Sequence, residues 1–271
     1  MKLHRRVLRL DGRAYTVLGL RPGTDARFAT NRYHDTWHIL SDRPGAQLLG
    51  RLLWAMSYER RPDTLIVVDR PFIDPTPFDG ERSDPFVLMP RHLTPLSEAA
   101  ARALRRALPL NSPSQGTVRL RTPGLDLALA DPEGWQETLR HDYGHGVDFS
   151  SQVTRRGGLL VLAATPAELR CWAVRSAQLS AHNAWDMDYS YLGEGCRGDG
   201  EVQIFRRYRA MVSSAAVARQ EVLAEDSGLD LPQAVRERIW HRSAQMRRRT
   251  ARPAGRPAAP ASATASAEVA R

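Results

Sequence analysis

Thr64-Leu65-Ile66-Val67-Val68-Asp69 decides the reading of this chain. Five of its residues are β-branched or aliphatic, and no polar residue interrupts them before the closing aspartate. Such a run is too short for a membrane span and fits a strand buried on both faces, as in a parallel or mixed sheet. Immediately upstream, Asp42 supplies a helix cap and Pro44 a first-turn residue. Leu48, Leu49, Leu52, Leu53 and Met56 then repeat at helical spacing until Pro62-Asp63 breaks the pattern. A helix leading straight into a doubly buried strand predicts an α/β or α+β fold, with a mixed sheet flanked by helices.

Nearer the N-terminus, Arg5 to Leu10 and Ala14 to Leu20 flank Asp11-Gly12, which predicts an N-terminal hairpin with a tight turn. Gly23 to Leu40 shows no clear period. Phe86 to Met89 reads as a short strand, and Thr94-Pro95 as the start of a helix ended by Pro109. Thr117 to Arg121 and Leu125 to Ala130 read as a second hairpin turning at Pro123-Gly124. Asp131 caps a short helix, Leu159 to Ala163 repeats the buried-strand pattern, and Pro166 to Ser180 reads as its following helix.

From Glu201 to Glu225 one long amphipathic helix is expected, and Asp230 opens another through Val235 and Ile239. This divides the chain into a mixed body (1–195), a helical C-terminal extension (196–250) and a tail (251–271). The tail's Ala/Pro/Ser composition cannot build a core, so it is expected to be disordered. The apolar faces of the two C-terminal helices need a partner, either the body or a second copy of the chain.

The net charge is +9, but it is unevenly placed. From Leu231 onward there are nine arginines and two glutamates, a net +7, which leaves the first 230 residues at only +2. Arg236, Arg242, Arg247, Arg248 and Arg249 are therefore the candidate contacts for nucleic acid or an acidic partner. Phosphate contacts of this kind give salt-dependent affinity without sequence reading. Lys2 is the only lysine among 39 basic residues, so part of the arginine excess reflects coding composition. Two cysteines, Cys171 and Cys196, make no disulfide framework and no zinc-type pairing. No stretch reads as an export signal or a membrane span, and a soluble cytoplasmic protein is expected.

Several clusters bear on chemistry. His141-Asp142-Tyr143-Gly144-His145-Gly146 places imidazole and carboxylate side by side, a donor pair suited to a divalent metal. A metal held there would lower the pKa of bound water for attack on a phosphoester. Over about six positions the segment resembles the signature of the HD-type metal-dependent phosphohydrolases, whose His-Asp pair is often followed by Gly-His-Gly. The resemblance implies an upstream histidine, matched by His92, and a downstream aspartate, matched by Asp188 or Asp186. It departs from that all-helical family at Thr117 to Ala130, which reads as a hairpin. Gly193-Glu194-Gly195-Cys196-Arg197-Gly198 spells a glycine-rich GxGxxG, but Glu194 would repel a phosphate and no βαβ unit surrounds it. Asp69 opens an acidic, proline-rich loop at a strand's carboxyl end, where open α/β sheets gather ligands. His34 and His38 are four apart beside Tyr33 and Trp37, a spacing that on a helix would give one face.

Two functions are expected from these observations. The first is a non-catalytic binding or accessory protein acting through its basic C-terminal region. The second is a metal-dependent phosphohydrolase built on His141 and Asp142.

Overall fold

The computed structural model of the chain describes residues 1–143, 152–182, 186–193, 200–225 and 232–251. In chain order these residues form β1 (Lys2–Leu10), β2 (Arg13–Gly19), β3 (Phe28–Tyr33), β4 (Thr36–Ser41), α1 (Arg43–Met56), β5 (Thr64–Val68), β6 (Phe86–Pro90), α2 (Glu98–Ala107) and β7 (Thr117–Arg119). There follow α3 (Leu125–Ala130), α4 (Pro132–Tyr143), β8 (Gln152–Arg156), β9 (Leu159–Ala164), α5 (Pro166–Ala177), β10 (Met187–Leu192), β11 (Gly200–Phe205), α6 (Tyr208–Glu225) and α7 (Pro232–Ala251). No helix among the described residues is long and apolar enough to cross a membrane.

Two mixed sheets carry the fold. The larger runs β7-β1-β2-β5-β6-β9-β8, and the smaller runs β10-β11-β4-β3. β5 lies at the middle of the larger sheet, parallel to β2 and antiparallel to β6. Its alternate residues serve two cores, as a doubly buried strand must. Ile66 and Val68 pack with Leu49, Leu53 and Trp172 of α1 and α5. Leu65 and Val67 pack with Ala100, Ala101 and Leu104 of α2. At the first hairpin Asp11 and Gly12 both take positive φ (49° and 78°), the geometry that joins β1 to β2 without splaying them.

Caps set the helix starts. The Asp42 carboxylate accepts from Gly45 N–H at 2.9 Å, as its sequence position predicts. Thr165 and Glu168 form a reciprocal capping box that stops β9 from running on and turns the chain into α5. The helix expected from Thr94 begins only at Glu98, because Ser97 is the residue whose side chain caps it.

Three expectations are corrected. Leu125 to Ala130 is helix α3, not the second strand of a hairpin. Its Leu/Ala alternation mimics a strand, but both residues are strong helix formers, and Leu125 and Ala128 bury one side at i,i+3 spacing. Most of Gly23 to Leu40, which shows no clear period, is the hairpin of β3 and β4, aperiodic because most of β4 is buried on both faces. Glu201 to Phe205 is strand β11, parallel to β4, and the helix starts only at Tyr208. The expected extension from 196 therefore includes a strand, β11, that belongs to the smaller sheet.

The apolar faces of the last two helices meet each other. Ala218 and Val222 of α6 bury Ile239 of α7, with Val235 and Met246 alongside. The other side of α6 covers the smaller sheet through Tyr208, Met211 and Val212. The expected disordered tail lies outside the described residues, apart from Ala251 at the end of α7.

Candidate functional site

β5 ends at Val68, and the chain leaves the sheet through Asp69, Arg70 and Pro71. It returns through Ser83 and Pro85 to start β6. Between these two passages and the C-terminal end of α2 lies a cleft of about 60 Å³, lined among others by Asp69, Arg70, Arg82, Ser83 and Arg105. It stands at the carboxyl end of a central strand, where the sequence placed Asp69 as a ligand candidate.

Asp69 is 7% exposed, and its Oδ2 accepts a hydrogen bond from Leu110 N–H at 3.2 Å. Burial raises its pKa above the ordinary carboxylate value, while the Leu110 N–H and the charge of Arg6 draw it back. Ser83 is 4% exposed, and its buried Oγ has no hydrogen-bond partner among the described residues. Other acids of this loop are already spent: Asp84 pairs with Arg155 at 2.7 Å, Asp79 and Glu81 pair with Arg236, and Asp74 faces Arg27.

A second polar group is buried in the smaller sheet. Asn31, His38 and Glu201 face one another across β3, β4 and β11. His38 Nδ1 meets Asn31 Oδ1 at 3.0 Å, and His38 Nε2 lies 3.7 Å from Glu201 Oε2. Gln203 donates to Glu201 Oε1 at 2.8 Å. Burial drives both ionisable partners toward their neutral forms. The His38 pKa is lowered to about 4, with the nearby His34 charge adding to the effect, and that of Glu201 is raised. The polar/apolar alternation of Glu201-Val202-Gln203-Ile204 is the signal that would have found this group; a helical reading of the segment hides it. His34 and His38 share no helix face, since His34 sits at the hairpin turn with φ 47°.

The residues proposed for a metal are spread over three parts of the chain. His92 lies in the turn after β6 of the larger sheet, and His141 and Asp142 are near the end of α4. Asp188 is on β10 of the smaller sheet, where its two oxygens accept from Ser180 N–H at 2.8 Å and Tyr189 N–H at 2.9 Å. Asp186 pairs with Arg206 at 3.3 Å. Among the described residues no three His, Cys, Asp or Glu side chains group as a metal would require. The side chains of His141 and Asp142, and the following 144–148, lie outside them. So does most of the glycine-rich 193–198 segment; the described element after it is strand β11, whereas a dinucleotide loop leads into a helix.

The C-terminal arginines divide into two sets. Arg236 reaches Asp79 at 3.5 Å and Glu81 at 2.6 Å, and Arg242 reaches Glu221 at 3.5 Å and Glu225 at 2.7 Å. Arg247 is half-buried and donates to Ser214 and Ser243, both at 3.0 Å. Arg248 and Arg249 are exposed in the last turn of α7 and make no ion pair among the described residues.

No protein family, no curated protein and no solved structure matches this chain.

Proposed function

We propose that this is a non-catalytic binding or accessory protein of the cytoplasm that contacts a polyanion, nucleic acid first, through the arginines at its C-terminal end. The supporting observation is the division of those arginines. Arg236 and Arg242 already have acidic partners within the chain, so recruiting them to a ligand would break existing ion pairs. Arg248 and Arg249 have none among the described residues, and in sequence they lead into Arg252, Arg256 and Arg271. Exposed guanidinium groups in series neutralise phosphates and release counterions, which supplies affinity without base reading.

The test is fluorescence anisotropy with a labelled mixed-sequence DNA duplex over a range of salt concentrations. Affinity is expected to fall steeply with salt. In Arg248→Ser/Arg249→Ser the slope of log K against log salt should shrink by about two, one for each phosphate left without its arginine. An unchanged slope refutes the assignment to these arginines. Tighter binding to an acidic peptide than to DNA would make the partner a protein.

A further inference from the structure

We propose that the cleft at the carboxyl end of β5 is a binding site for a small tetrahedral oxyanion, either free phosphate or the phosphoryl end of a larger molecule. Three arginines, Arg70, Arg82 and Arg105, are among the residues that line it, with one carboxylic acid, Asp69. None of the three makes an ion pair among the described residues, although neighbouring Arg27, Arg155 and Arg236 all reach acids. Bringing like charges together around a recess costs Coulomb energy that an anion between them would repay. Guanidinium groups also match phosphate oxygens in a planar, bidentate fashion.

Arg105 comes from the last turn of α2, where the helix's negative end favours a cation. That preference explains its charge but not its direction. Its aliphatic stem passes over Gly158 in the β8–β9 turn, where a β-carbon would lie 3.5 Å from Arg105 Cγ. The adjacent Gly157 presses that turn onto α2, since a β-carbon there would fall 2.5 Å from Arg102 N. The two glycines thus hold the turn close enough to support Arg105 from one side.

Ser83 supplies an independent indication. It is one of the residues lining the cleft, and its buried hydroxyl has no hydrogen-bond partner among the described residues. Buried polar groups are rarely left unsatisfied, and those that are commonly mark a missing partner. Size narrows the ligand class. The cleft, about 60 Å³, is far smaller than the roughly 300 Å³ or more of sites for whole drug-sized ligands, and a tetrahedral oxyanion belongs to the small class of groups that it suits.

Asp69 opposes a bound anion when it is ionised and donates to one when it is protonated. Removing its charge should therefore tighten binding. The experiment is calorimetric titration of the full chain with inorganic phosphate at fixed ionic strength, with melting curves in phosphate and in chloride as a second measurement. Phosphate is expected to bind and to raise the melting temperature more than chloride. Arg82→Ala and Arg105→Ala should each weaken binding about tenfold or more, as loss of a charge-assisted hydrogen bond does. Asp69→Asn should tighten it, and Arg248→Ser/Arg249→Ser should leave it unchanged, which separates this site from the polyanion surface. Arg82 is exposed, so its variant is expected to fold normally.

No phosphate binding by the folded protein, or binding indifferent to both arginine variants, overturns the proposal; acetate binding as tightly as phosphate overturns the tetrahedral assignment. Phosphoserine binding more tightly than inorganic phosphate would identify the source as a phosphoryl group on a larger molecule, and equal affinity as free phosphate.

Discussion

Gly50→Val is expected to lower unfolding stability by about 3 kcal/mol, and Gly50→Ala by about 1 kcal/mol, both read from urea unfolding midpoints. Helix propensity alone predicts the opposite for alanine, since a glycine inside a helix costs about 1 kcal/mol relative to alanine. Contact with α5 decides the sign. A β-carbon on Gly50 would lie 2.6 Å from Ala173 O and 2.7 Å from Ala177 Cβ, well inside van der Waals contact. Ala173 O belongs to the backbone of α5, so no rotamer change can make room. The two helices must separate, and the packing of Leu49, Leu53 and Trp172 between them loosens. Overpacking of that kind costs about 1–3 kcal/mol in a close-packed interior, enough to overrun the propensity gain. Valine adds two methyl groups to the same collision. Adding Ala177→Gly to Gly50→Ala should recover only part of the stability, because the Ala173 carbonyl remains. Stability of Gly50→Ala at or above wild type would show that the α1–α5 seam yields more easily than its geometry implies.

The α1–α5 seam also shows how far local sequence reaches. Thr64 to Asp69, Leu159 to Ala163 and the helices beginning near Asp42 and Thr165 are legible because each carries its own signal, a continuous apolar run or a capping side chain. Leu125 to Ala130 reads wrongly as a strand because alternation of Leu and Ala satisfies both periods over six residues. What separates them is the packing of Leu125 and Ala128 in the core, a tertiary fact. β11 is hidden for a related reason: its residues pair with β4, which lies far away in sequence, and adjoin a true helix. The cleft divides the same way. Asp69 is visible as the end of a strand, but Ser83 and Arg105 reach it only through a returning loop and a helix end. Nothing local signals that Gly50 faces a backbone carbonyl, and the alternation from Glu201 to Ile204 marks a strand without naming His38 as its neighbour. Those pairings are set by how the layers stack.

Acidification from pH 7 to 4 should cost the folded protein up to about 3 kcal/mol through His38 alone. Burial lowers its pKa from the ordinary 6.5 to about 4, and the positive charge of His34 adds to that shift. As pH falls below 6.5 the unfolded chain takes up a proton that folded His38 refuses. The unfolded state then binds more protons, so stability falls. The loss grows until folded His38 is itself protonated near pH 4, and is constant below that. A difference of about 2.5 pKa units at 1.36 kcal/mol each gives the magnitude. Glu201, 3.7 Å away, works in the other direction. Its pKa is raised by burial, so the folded state takes up that proton first and gains stability as pH falls toward 4.5. The observed decline is therefore smaller than the His38 contribution. His38→Gln separates the two: the decline due to His38 vanishes, while the Glu201 gain persists if the substituted amide keeps the site closed. Between pH 7 and 4 the stability gap between variant and wild type should move by up to about 3 kcal/mol in the variant's favour. The His38 ring resonances provide the direct check. Titration near pH 4 is expected; titration near 6.5 would mean that pairing with an ionised Glu201 offsets burial, and that the Asn31–His38–Glu201 group holds the Glu201 charge at neutral pH.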